Sequence, residues 1–154
     1  MKQALIIDTI VFLLFIMFIY TGFSKCFDFE GYKVAMHNQP FPDWLSDFLI
    51  WVLPPVEITI AGLLFFEKTR RNGLWASMMI MLLFTLYIVL ILFRLFPKVP
   101  CSCGGVIKSL TWTQHLFFNL FFLTISFIGY KLQPYQEITN KKASDKNISR
   151  AKSG

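Results

Sequence analysis

Charge is scarce in this chain. Asp, Glu, Lys and Arg make up only 16% of its 154 residues, hydrophobic residues make up 55%, and the mean hydropathy is +0.56. A water-soluble domain of this size needs far more polar surface, so the composition fits a bilayer as solvent. Other signals are missing too. Only Lys2 precedes the first apolar run and no small-x-small site closes it, so that run reads as an uncleaved anchor rather than a secretory signal. No repeat at solenoid spacing and no low-complexity tract is visible, and the length leaves no room for a second core beside a helix bundle. A paired C-x-x-C is also lacking.

What is present is apolar and long. Runs over 5–20, 45–66, 74–96 and 111–130 each read as a spanning helix, and 14 of the 18 phenylalanines fall in them. The expected fold is all-α: a polytopic membrane protein with a four-transmembrane-helix bundle. The second run carries Pro54-Pro55, expected to bend it, and then Glu57. A carboxylate that deep should face the bundle interior, paired or protonated. Between the first two runs, 27–44 mixes aromatic and charged residues; 29–36 predicts a short interfacial helix, and Asn38-Gln39-Pro40-Phe41-Pro42 an extended turn. This segment can act as a lid or dock a partner. Residues 1–131 are expected to form the membrane domain and 132–154 a polar, disordered tail close to anionic headgroups.

The basic residues separate by side. With four spans, Lys2, Lys68, Arg70, Arg71, Lys131, Lys141, Lys142, Lys146, Arg150 and Lys152 share one face, and Lys25, Lys33, Arg94, Lys98 and Lys108 the other. The positive-inside rule then puts both termini in the cytoplasm of a bacterial inner membrane. The net charge of +6 follows from that arrangement and implies no nucleic-acid partner. All three cysteines fall on or near the opposite, periplasmic face, where disulfides persist.

Cys101-Ser102-Cys103-Gly104-Gly105 is the chemically richest motif. The pair can cycle as redox thiols through a strained, exchangeable disulfide, staple its loop, or contribute to a soft-metal site for Cu(I). Cys26, at the end of the first run, is a candidate resolving thiol or a plain buried one. Thr111 and Gln114 make a capping box at the start of the fourth helix. His115 follows, with Asn119 one turn on and Trp112 close by. His115 can move a proton, stabilise a thiolate, contact a quinone carbonyl or make an interhelical hydrogen bond. Glu57 can handle protons or belong to an interior network. Arg94 can hold an anionic ligand or simply snorkel.

Tyr20-Thr21-Gly22-Phe23-Ser24-Lys25, followed by Phe27-Asp28-Phe29, resembles the small-Gly-x-x-Lys signature of the DoxX-like superfamily. Pro54, Glu57 and Ala61-Gly62 resemble its second helix, and Cys101 to Gly105 with His115 and Asn119 its MauE-type, redox-associated branch. The resemblance spans roughly 5–130. It implies an inner-membrane four-helix bundle. MauE-type proteins are associated with maturation of methylamine dehydrogenase, whose small subunit needs many disulfides, and DoxX is a subunit of a quinol-linked oxidase. Carried over, Cys101 and Cys103 would exchange disulfides while His115 and Glu57 support proton or quinone chemistry, with a quinone as cofactor ahead of Cu(I). Two functional classes follow. One is a periplasm-facing accessory protein for thiol–disulfide exchange or quinone-linked electron transfer in a periplasmic or membrane partner. The other is a non-catalytic subunit that assembles or stabilises a larger membrane complex.

Overall fold

The computed structural model describes residues 2–93, 95 and 111–152. Its elements are α1 (Lys2–Phe27), α2 (Phe29–His37), α3 (Asp43–Phe65), α4 (Arg70–Leu92) and α5 (Trp112–Lys152). Among the described residues, four stretches are long and apolar enough to cross a membrane: Gln3–Phe27, Asp43–Phe65, Arg70–Leu92 and Trp112–Gln133. At 22 to 25 residues each, they reach about 33–38 Å, more than the ~30 Å of hydrocarbon in a bilayer. The expected all-α, four-span architecture is what the chain adopts.

α1 packs on α3 and α5, and α4 packs on the same two helices, so the four spans close into a ring with little direct contact between α1 and α4. The main core lies where α1 meets the facing helices. Ile7, Ile10, Leu14 and Phe18 of α1 bury against Ile60, Ala61 and Leu64 of α3, with Leu74 of α4 and Phe122 of α5. The opposite faces carry exposed Phe12, Ile16, Trp51, Leu83, Leu86 and Phe121. In a membrane these side chains meet lipid, where apolar exposure carries no penalty.

α1 and α3 are antiparallel and staggered. The Phe15 and Phe65 rings lie 5.7 Å apart. Two turns further on, Gly22 sits so close to α3 that a Cβ there would stand 2.9 Å from Ile58 Cγ1 and 3.5 Å from the Pro54 carbonyl oxygen. α1 therefore ends while α3 still extends outward, and α2 packs beside that overhang. Tyr32, Met36 and Ile50 form a second small core there. α2 matches the helix expected over 29–36. Asp28 caps it by accepting the Gly31 amide at 3.3 Å. Pro54 and Pro55 lie within α3 without ending it, although neither supplies an N–H to the carbonyl four residues back.

Two boundaries differ from expectation. α1 runs to Phe27 rather than stopping near Tyr20, because the helix-compatible residues Thr21 to Cys26 contain only one glycine and no proline. α5 continues as helix to Lys152, where the polar tail was expected to lack fixed structure. Between Tyr135 and Lys152 there is no glycine or proline to stop it.

The bundle's two ends are built differently. At the end holding the α3–α4 turn, Asp8 accepts a hydrogen bond from Arg70 Nη1 at 2.9 Å. Gly73 there brings α4 against the α3 backbone: a Cβ would lie 2.8 Å from the Leu64 nitrogen. The other end, capped by α2, contains a cavity.

Candidate functional site

The cavity measures about 500 Å³ and lies between α1, α2, α3, α4 and α5 at the α2 end. That volume falls in the range of small-molecule sites. Its walls are largely apolar, built from residues such as Met17, Leu53, Val56, Ile80, Met81 and Phe118. Onto them project Thr21 and Lys25 from α1, Glu57 from α3, Tyr87 from α4, and His115 and Asn119 from α5. Gln39, just after α2, completes the polar set.

Glu57 is buried, with 3% of its side chain accessible, and Lys25 is nearly so at 12%. Lys25 Nζ donates to both Glu57 carboxylate oxygens at 2.7 Å. Such a pair is tolerable in a low-dielectric interior only with close geometry, because each ion has lost its hydration. The close approach at Gly22 provides that geometry. It draws α1 onto α3 one turn before Lys25, so the ammonium meets the carboxylate without a long reach. The Thr21 hydroxyl, on the same cavity wall, donates to the Phe18 carbonyl at 3.2 Å. The Tyr32 ring centre is 5.8 Å from Lys25 Nζ, at cation–π distance.

The α5 side of the cavity is set by a helix start. The Thr111 amide donates to Gln114 Oε1 at 2.9 Å, and the Gln114 amide donates to Thr111 Oγ1 at 3.4 Å. This is the reciprocal capping box that the sequence predicts. It fixes the first turn, from which Trp112 and His115 face the cavity, with buried Asn119 one turn deeper. On the α4 side, the Tyr87 hydroxyl donates to Gln39 Oε1, and the Tyr87 and Phe41 rings are centred 5.0 Å apart. Gln39 Nε2 in turn donates to the Ala35 carbonyl at 3.1 Å. These contacts tie the end of α2 to α4. Tyr32 ties its middle to α3, donating to the Leu49 carbonyl at 3.2 Å. His37 Nε2 lies 3.1 Å from Asp47 on the exposed rim.

Of the residues singled out from sequence, Glu57, His115, Trp112 and Asn119 are thus brought to one cavity. Cys26 is not: it is an exposed free thiol in the last turn of α1. Cys101, Cys103 and Arg94 lie outside the described residues. Among the described residues, His, Cys, Asp and Glu form no group of three that could hold a metal ion. Sequence reasoning missed Lys25 as Glu57's partner, as well as the Gln39–Tyr87 contact. The signal for Lys25 was available, since a mid-span carboxylate calls for a cation and Gly22 precedes this one by a single turn.

A family model described as methylamine utilisation protein MauE matches residues 2–132. No curated protein and no solved structure matches the chain.

Proposed function

The chain belongs to the MauE family, a redox-associated group of DoxX-like membrane proteins, and from that premise we propose that it supports thiol–disulfide exchange or quinone-linked electron transfer for a partner protein. In this reading both termini are cytoplasmic and the α2 end faces the periplasm, as the distribution of basic residues favours. Cys101 and Cys103 fall in sequence between α4 and α5, outside the described residues, and this reading assigns them to the periplasmic side. Oxidation of the two thiols to a disulfide releases two electrons and two protons. The reverse exchange passes a disulfide to a partner's dithiol with no net loss of either.

The observation that carries the proposal is the cavity at this end, where Glu57, His115 and Asn119 meet between apolar walls. A quinone fits that chemistry: apolar surface for its ring, and hydrogen-bonding groups for its carbonyls. When bound, it would supply a two-electron, two-proton acceptor. His115 and Asn119 would orient it, and the Lys25–Glu57 pair would hold a compensated charge beside it. His115 is also the group best placed to hold or move a proton at its ring nitrogen.

The test is thiol trapping in intact cells with a membrane-impermeant alkylating tag, with labelled positions read by mass spectrometry. A Cys101–Cys103 disulfide that comes and goes with respiratory state is expected, and Cys101→Ser or Cys103→Ser should abolish partner oxidation. Thiols that stay reduced, or a fixed disulfide whose loss changes only protein abundance, would move the assignment to a structural subunit.

A further inference from the structure

The cavity wall carries one ammonium and one carboxylate among its described residues, and they are bound to each other. We infer that the Lys25–Glu57 pair makes this cavity selective for amphiphiles with an uncharged polar head, shutting out the anionic lipids of the surrounding bilayer. The inference rests on the cavity being the ligand site of the proposed function, and it names the class of ligand admitted.

The argument is one of charge accounting. Lys25 has three N–H donors, and Glu57 takes up two of them through both of its oxygens at 2.7 Å. The Tyr32 ring lies within cation–π range of the same ammonium. An incoming phosphate or carboxylate head would therefore meet a lysine already neutralised, beside a carboxylate that repels it. To gain the ammonium it would have to displace Glu57, leaving a buried carboxylate without its counter-ion, the costliest arrangement for such a pair. A neutral head breaks nothing. Its carbonyl or hydroxyl oxygens can bond to His115 and Asn119 while its chain lies along Val56, Met81 and Phe118. A bacterial bilayer is rich in anionic lipid, so an unpaired lysine here would be filled by the commonest amphiphile present. The glutamate prevents that.

The test uses the full chain in nanodiscs of zwitterionic lipid, with Trp44, Trp51 and Trp75 changed to Phe so that Trp112, on the cavity wall, is the sole fluorophore. Two probes of equal chain length are compared: a brominated alkyl alcohol and a brominated alkyl sulfonate, which is anionic at any working pH. Bromine quenches tryptophan on contact, and a Val56→Phe variant, which fills the cavity, separates quenching inside it from quenching by bulk lipid. The alcohol should quench saturably, and Val56→Phe should remove that effect. The sulfonate should bind at least about tenfold more weakly. In Glu57→Gln, which frees the ammonium, sulfonate affinity should rise about tenfold or more while alcohol binding changes little. Equal binding of both probes to the unmutated pair would overturn the selectivity yet leave the cavity as a ligand site, and so would an unchanged sulfonate affinity in a folded Glu57→Gln. Quenching that neither saturates nor responds to Val56→Phe would remove the ligand site itself, and the proposed function's cavity with it. Should Glu57→Gln fail to fold alone, purification with sulfonate present should recover it. If sulfonate gives no more recovery than alcohol, the inference is refuted.

Discussion

The two ends of this bundle are made by the same four helices from much the same residues, yet among the described residues one packs apolar side chains tightly together and the other holds a cavity. At the α3–α4 turn end, Ile7, Leu14, Leu64 and Leu74 are wholly buried, and Gly73 lets two backbones touch. Its ion pair joins a largely buried Arg70, 13% exposed, to an Asp8 carboxylate that is 55% exposed. At the α2 end the pair is buried, the apolar residues leave about 500 Å³ between them, and polar groups from all four spans turn inward. α1 lines the cavity along its last turns with Met17, Thr21 and Lys25, and the short α2 covers it from the side where α3 extends past α1. Packing thus serves to hold the bundle at one end and to shape a space at the other.

Removing one member of the buried pair should separate the ends most sharply. Glu57→Ala leaves an ammonium without its counter-ion inside the bundle, and Lys25→Ala does the converse; each should cost about 3–5 kcal/mol. Asp8→Ala, which removes a carboxylate that is 55% exposed, should cost less than either. Replacing both members of the buried pair, as Lys25→Met with Glu57→Met, should restore most of the loss, because two apolar groups of similar size need no compensation. Denaturation midpoints in detergent check all four. A double variant no better than the singles would mean that the site's geometry, rather than its charge, holds α1 to α3.

Packing substitutions should show the next largest contrast. Leu64→Ala empties space in a closed core and should cost about 2–5 kcal/mol. Val56→Ala removes fewer atoms from a wall that already borders open space, and should cost less than about 2 kcal/mol. Equal losses at the two positions would show that the cavity wall is as tightly constrained as the core.

Some of this was legible in the residues and some was not. The four spans, the short helix after Asp28 and the capping box at Thr111 each arise from a local pattern of apolar runs or hydrogen-bonding side chains, and each appears in the structure. That Glu57 faces inward follows from its cost in lipid. Its partner was signalled only in part: a mid-span carboxylate calls for a cation, but Lys25 reads as a charge outside the first span until α1 is seen to run on to Phe27. Which cation meets which carboxylate depends on the stagger of two helices, set by contacts such as Phe15 on Phe65 and Gly22 on Ile58. These lie far apart in sequence. A cavity is harder still to foresee, being side-chain volume that is missing between helices. Gln39 and Tyr87, 48 positions apart, meet only once α2 has folded over it.

The smallest expected effect tests whether the cavity end depends on local structure that the closed end does without. Thr111→Ala deletes the hydroxyl that accepts from the Gln114 amide, but it leaves the Thr111 amide free to keep donating to Gln114 Oε1. The bond lost is the longer of the two, so the cost should fall near the low end of the usual capping range of about 0.5–2 kcal/mol. A loss of that size barely moves the global denaturation midpoint. It should instead appear as local fraying, with hydrogen exchange at the first-turn amides, including Gln114, rising several-fold while amides around Leu64 and Leu74 keep their protection. Gln114→Ala removes the shorter bond and should fray the turn more. Because Trp112 and His115 ride on that turn, probe binding in the cavity should weaken in the same order. Fraying without any loss of probe binding would show that His115 is held by its neighbours in the bundle, and that the capping box serves the helix alone.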